Sequence, residues 1–150
     1  MSRLLPPMAV VMIALSTFAV GTARADEVAD AVAGFPANVD ELRVVGAWGV
    51  GDFRGTYRLL VARSGPPPVK ARLFVQWVAL EVGGNVKVES SVEVEELAAL
   101  DADIGAIRTK AERDGLLVFI DTIGGDPGSP HNYELALGPP DQYRFGPFTN

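Results

Sequence analysis

From Leu42 onward the chain alternates apolar and polar residues with a period of two, which is the signature of half-buried β-strands. The clearest stretch is Val86 to Val94 (VKVESSVEV), where Val86, Val88, Val92 and Val94 fall on one face and Lys87, Glu89, Ser91 and Glu93 on the other. A sheet with one dry side and one wet side requires that pattern. Upstream, Thr56 to Arg63 and Val69 to Val82 read as strands separated by the Gly-Pro-rich break Ser64 to Pro68, and Gly83-Gly84-Asn85 links the second of them to the valine strand. Both breaks have the composition of hairpin connections. Within Val69 to Val82, one face carries Val69, Ala71, Leu73, Val75, Trp77 and Ala79. The other runs from Lys70 and Arg72 to Phe74, Gln76, Val78 and Leu80. An earlier strand is expected over Leu42 to Trp48, with Gly49 to Gly55 turning the chain.

Downstream, Leu116 to Ile123 (LLVFIDTI) is apolar on both faces and follows Asp114-Gly115, a tight-turn pair. Asn132 to Leu137 alternates, and a last strand is expected around Tyr143 and Phe145. Leu97 to Arg113 is ambiguous, because Leu97, Leu100, Ile104, Ile107 and Ala111 are spaced by threes and fours, as on a helix. Gly105 and the following Asp-Gly turn favour a strand from Ile104 to Arg113. The sum is an all-β fold, an antiparallel meander of about seven or eight strands forming a small barrel or a sandwich. Closure into a barrel has the merit of removing exposed edge strands.

The N-terminal region differs. Arg3 precedes the uncharged run Met8 to Val20, and Ala23 and Ala25 place small residues where a signal peptidase requires them, so residues 1–25 read as a cleaved export signal. The run of 13 residues rises only about 20 Å as a helix, against a hydrocarbon core of about 30 Å. The mature chain is then expected to begin at Asp26, as one β domain over residues 26–150 in the periplasm or outside the cell, with no membrane span. Asp26 to Phe35 has the makings of a short helical turn.

Removing residues 1–25 takes out two of the 13 basic residues and none of the 19 acidic ones, leaving a net charge of 11 − 19 = −8. No basic cluster is present, which argues against a nucleic-acid partner and for a cationic protein as a charged partner. The chain has no cysteine, so packing alone holds the fold and thiolate chemistry is excluded.

Candidate chemistry is sparse. Gly49, Gly51 and Gly55 resemble a dinucleotide loop only in spacing, since a strand rather than a helix follows. Asp101, Asp103, Gly105 and Glu112 share part of a calcium-loop spacing, but Ala106 stands where that loop needs glycine. His131 is the sole histidine, so a histidine metal cluster is excluded; with Asp126 or Glu134 it is the base available to a hydrolase, without a nucleophile motif beside it. Asp121 is the odd carboxylate in an apolar strand. Trp48, Tyr57 and Trp77, with Arg58 and Gln76 beside them, either line a ligand cavity or fill the core.

Gly55-Thr56-Tyr57-Arg58 through Val61 to Arg63-Ser64-Gly65, followed by Leu73-Phe74-Val75-Gln76-Trp77, resembles a pattern in small exported proteobacterial proteins that have no assigned activity. The resemblance covers about a fifth of the mature chain and implies no catalytic residue. The expectation is therefore a non-enzymatic binding domain without a cofactor, taking a small apolar ligand or a protein partner. An acidic interaction module, such as an inhibitor or accessory subunit of an envelope enzyme, is the alternative.

Overall fold

A computed structural model describes residues 23–149, and the chain falls into two units that divide after Phe35. The export signal expected over residues 1–25 thus lies almost wholly outside the described residues. The described part of the first unit is helix α1 (Ala23–Ala33), longer than the turn expected from the sequence. Gly34 N–H donates to Asp30 O at 2.8 Å at its end, and Pro36 follows.

The second unit is all-β. Strands β1 (Val39–Val50), β2 (Phe53–Ser64), β3 (Lys70–Leu80) and β4 (Val86–Glu93) form one antiparallel meander. A short helix α2 (Glu95–Ala98) then carries the chain to a second meander of β5 (Ala102–Glu112), β6 (Gly115–Gly124), β7 (Asn132–Leu137) and β8 (Tyr143–Pro147). Each strand pairs only within its own four-stranded sheet, so the barrel alternative is corrected: the described strands form two sheets and no closed barrel. The ambiguous segment divides, with Leu97 on α2 and Ile104 to Glu112 in β5.

One core joins the sheets. Tyr57, Leu59 and Val61 of β2 and Leu73, Val75 and Trp77 of β3 meet Val118 and Ile120 of β6 and Tyr133 and Leu135 of β7. Tyr57 and Trp77 sit edge to face with centroids 6.0 Å apart, and Tyr133 stacks on Phe145 at 5.1 Å. At Gly55 the backbone of β2 approaches so closely that a Cβ would lie 2.1 Å from Val78 O and 2.7 Å from the Trp48 ring. Only glycine fits there.

The valine strand departs from the period-two reading. Trp77 pairs with Ser90 while Val78 pairs with Val88, so Glu89 is an extra residue, a β-bulge. One extra residue reverses every side chain beyond it. Val92 therefore packs against the core with Val94 just past the strand end, whereas Val86 and Val88 stand on the opposite face beside Leu80 and Val78. The expectation that all four valines share the dry face is overturned.

Candidate functional site

The alternation of β2 and β3 sends the five aromatic and polar candidates to opposite faces of the first sheet. Tyr57 and Trp77 are fully buried and Trp48 nearly so. Their polar atoms are satisfied: Trp48 Nε1–H donates to Thr56 O at 3.1 Å, and both Tyr57 OH and Trp77 Nε1–H donate to Gly138 O at 2.9 Å. Burial pushes the Tyr57 phenol up to about 12. These three side chains pack the core. Arg58 and Gln76 lie on the outer face, away from them.

That outer face has a defined order. Across the sheet, one row is Leu42, Leu60, Phe74 and Glu93; the next is Val44, Arg58, Gln76 and Ser91; a third includes Thr56, Val78 and Val88; the last includes Arg54, Leu80 and Val86. Arg58 Nη1–H donates to Gln76 Oε1 at 3.2 Å, and Gln76 Nε2–H donates to Ser91 Oγ at 3.3 Å, which makes a polar ladder through an apolar surface. At one end Arg72 grips Glu93 through two bonds, one of 2.6 Å, and lies 5.1 Å over the Phe74 ring. That guanidinium holds the Glu93 carboxyl below the ordinary carboxylate range. At the other end Arg54 is tied to Gly51 O and Phe53 O at 2.6 and 2.8 Å.

Exposure on this face is unusual for apolar residues: Val44 is 61 %, Leu80 63 % and Val86 67 % exposed, and Leu42 and Val88 are also open to solvent. The outer face of the second sheet is different. Its rows interleave Arg108, Lys110, Asp121, Glu134 and Arg144 with Leu117, Phe119 and Ala136, with Arg108 paired to Asp121 at 2.8 Å and Lys110 to Glu112 at 2.7 Å.

The remaining candidates lie elsewhere in the chain. Asp121 is half-buried and neutralised by Arg108, and His131 is exposed with its carbonyl accepting the Thr122 N–H at 2.8 Å. Asp103 and Glu112 lie in β5, and Gly51 is in the tight β1–β2 turn. No group of three metal-ligating side chains occurs among the described residues. A depression of about 530 Å³ lies at the β7–β8 turn and is lined by Leu137, Gly138, Asp141, Gln142, Tyr143 and Arg144. A smaller one of about 240 Å³ lies on the outer face between Arg54, Thr56, Val78, Leu80 and Val86.

Sequence reasoning grouped Arg58 and Gln76 with the three aromatics, from which the structure separates them, and did not single out Leu42, Val44, Val86 and Val88, which share their face. The two valines of β4 were hidden by the bulge. The signal for Leu42 and Val44 is present in the sequence: they stand one residue out of step with Arg43 and Val45, so β1 offers apolar groups to both faces. Comparison with known proteins adds nothing to this picture, since no family model, no curated protein and no solved structure matches the chain.

Proposed function

We propose that the chain is an exported, non-enzymatic binding protein that acts through the outer face of its first sheet. The observation that carries this reading is the contrast between the two outer faces. A wet sheet face normally carries polar side chains, and on the second sheet the half-buried Leu117 and Phe119 stand among charged neighbours, with Ile123 its exposed large apolar strand residue. The first sheet instead exposes Leu42, Val44, Leu80, Val86 and Val88 around one polar ladder, with Leu60 and Phe74 half-buried and Val78 buried between them. Four strands at about 4.8 Å spacing and about eight residues of strand length give a face on the order of 500 Å². That face, polar ladder included, is the size of the largest patch on an ordinary monomer, which is often functional. It is also a fitting centre for an interface, which buries about 800 Å² per partner.

Arginine-specific labelling tests the proposal. Arg58 and Arg144, one on each outer face, are expected to react with phenylglyoxal in the purified mature chain. In the intact envelope fraction of the source organism Arg58 is expected to be protected while Arg144 still reacts. Equal labelling of Arg58 in both preparations refutes the reading.

A second reading, electrostatic capture of a cationic protein, rests on the mature charge of −8 derived above. It is separated from the first by salt, since charge-driven binding fades as the Debye length falls from about 10 Å at 0.1 M to about 3 Å at 1 M, and apolar docking does not.

A further inference from the structure

The apolar face carries two arginines that no carboxylate of its own sheet neutralises: Arg54 at its end, tied to the Gly51 and Phe53 carbonyls, and Arg58 at its centre. Among the described residues, Arg43 and Arg63 lie against Glu41 and Asp103, and Arg72 and Arg108 against Glu93 and Asp121. Arg58 is without such a partner; its side-chain bond is to the neutral carboxamide of Gln76. Both bonds of the ladder, 3.2 and 3.3 Å, are longer than the usual 2.9–3.0 Å or so of a good hydrogen bond. An incoming acceptor can displace them at little cost. A half-buried guanidinium flanked by Val44, Leu60, Phe74 and Val78 presents its donor fork into a surface that becomes dry when covered.

We propose that the outer face of the first sheet docks a protein partner that sets a carboxylate on Arg58 between apolar side chains. The inference rests on the binding reading above and gives its partner a chemistry. Charge decides among the occupants. A second copy stacked face to face on a two-fold axis buries two uncompensated guanidinium groups in one interface, and an unpaired buried charge is costly. A small ligand needs a concave site of about 300–1,000 Å³, and this face offers a depression of about 240 Å³. A protein surface with one Asp or Glu among apolar residues meets both demands, and a guanidinium–carboxylate fork in a dry setting adds register as well as affinity. The local requirement is opposite in sign to the net charge of the chain.

The test places a photoreactive phenylalanine analogue at Val88, and separately at Val44, in the full chain with its own signal, and irradiates it in the source organism. A cross-linked protein is expected from both positions. Arg58→Glu and the neutral Arg58→Gln are expected to lower its yield about tenfold, and Arg58→Lys to change it about twofold or less. Thermal melting of the purified variants confirms that each is folded. Peptide mass spectrometry of the adduct is expected to find Asp or Glu within the contacted segment. An adduct indifferent to Arg58→Gln, one whose contact segment lacks a carboxylate, or one with the mass of two copies of this chain overturns the carboxylate inference while leaving a binding face. No adduct from either position overturns both.

Discussion

Trp77 Nε1–H in the first sheet donates to Gly138 O in the β7–β8 turn of the second at 2.9 Å, and Tyr57 OH reaches the same carbonyl at the same distance. A carbonyl oxygen has two lone pairs, and here both are used by buried aromatics that have no water to turn to. One atom thereby ties two core aromatics of the first sheet to the second. The ring bodies fill the core while their polar tips fix the alignment of the sheets.

Tyr57→Phe is expected to lower stability by about 1 kcal/mol at pH 8, the worth of one hydrogen bond. The phenol titrates at about 12 in the folded chain and near 10.0 when unfolded. Between those values the unfolded chain has lost a proton that the folded chain retains, so stability falls as pH rises, by up to about 1.4 kcal/mol per unit. Urea titrations should therefore show the wild-type advantage over Tyr57→Phe shrinking or reversing at pH 11. An advantage constant from pH 8 to pH 11 contradicts the burial of this hydroxyl.

Gly55→Ala is expected to lose about 3 kcal/mol, at the upper end for overpacking, because the obstructing atoms include a strand carbonyl that cannot move without breaking the β2–β3 ladder. Gly51→Ala, at a turn position with open space, is expected to cost only about 1 kcal/mol from its positive φ. Denaturant midpoints of the pair check the ordering.

Arg63 of β2 fastens the sheets at the end opposite Gly138, donating to Asp103 Oδ1 at 2.7 Å and Ile104 O at 2.6 Å in β5 as well as to Asp40 at 2.8 Å. The bonds to Asp103 and Asp40 raise its pKa further above the ordinary guanidinium value. Arg63→Ala strands a part-buried carboxylate and a carbonyl and is expected to cost about 2 kcal/mol. Arg63→Lys should recover less than half of that, because an ammonium does not reproduce the fork. Full recovery by lysine in urea melts contradicts the geometry.

The bulge at Glu89 makes two valines of one strand behave oppositely. Val92→Asp turns a carboxylate toward the core and is expected to cost about 2 kcal/mol or more, while Val88→Asp faces solvent and should stay within about 0.5 kcal/mol. Equal costs contradict the reversal of faces.

Much of the fold is legible in the chain, and its errors share one physical origin. The alternation along β2, β3 and β7 places their core residues correctly, because those strands pair without interruption on the side that matters. Where a strand takes an extra residue, period two fails. Ile104 and Ile107, three apart like residues on a helix, both reach the core because the register slips between Ile104 and Ala106. Val45 and Trp48 do the same across the shift at Gly46, which adopts φ +55°. In β4 the slip at Glu89 moves Val86 and Val88 from the expected core side to the outer face, and with them goes the recognition of that face as apolar. A bulge is chosen by the pairing of whole strands and leaves little trace in local residue order. The separation of Arg58 and Gln76 from Tyr57 and Trp77, by contrast, follows from parity alone.

The central claim is that the outer face of the first sheet is covered in use. Hydroxyl-radical footprinting, comparing the purified mature chain with the same chain in the intact envelope fraction of the source organism, reads it most directly. The account predicts that oxidation of Leu42, Val44, Leu80 and Val88 falls several-fold in the envelope while Ile123, 63 % exposed on the second sheet, oxidises equally in both. Unchanged oxidation of the four, or an equal fall at Ile123, contradicts it.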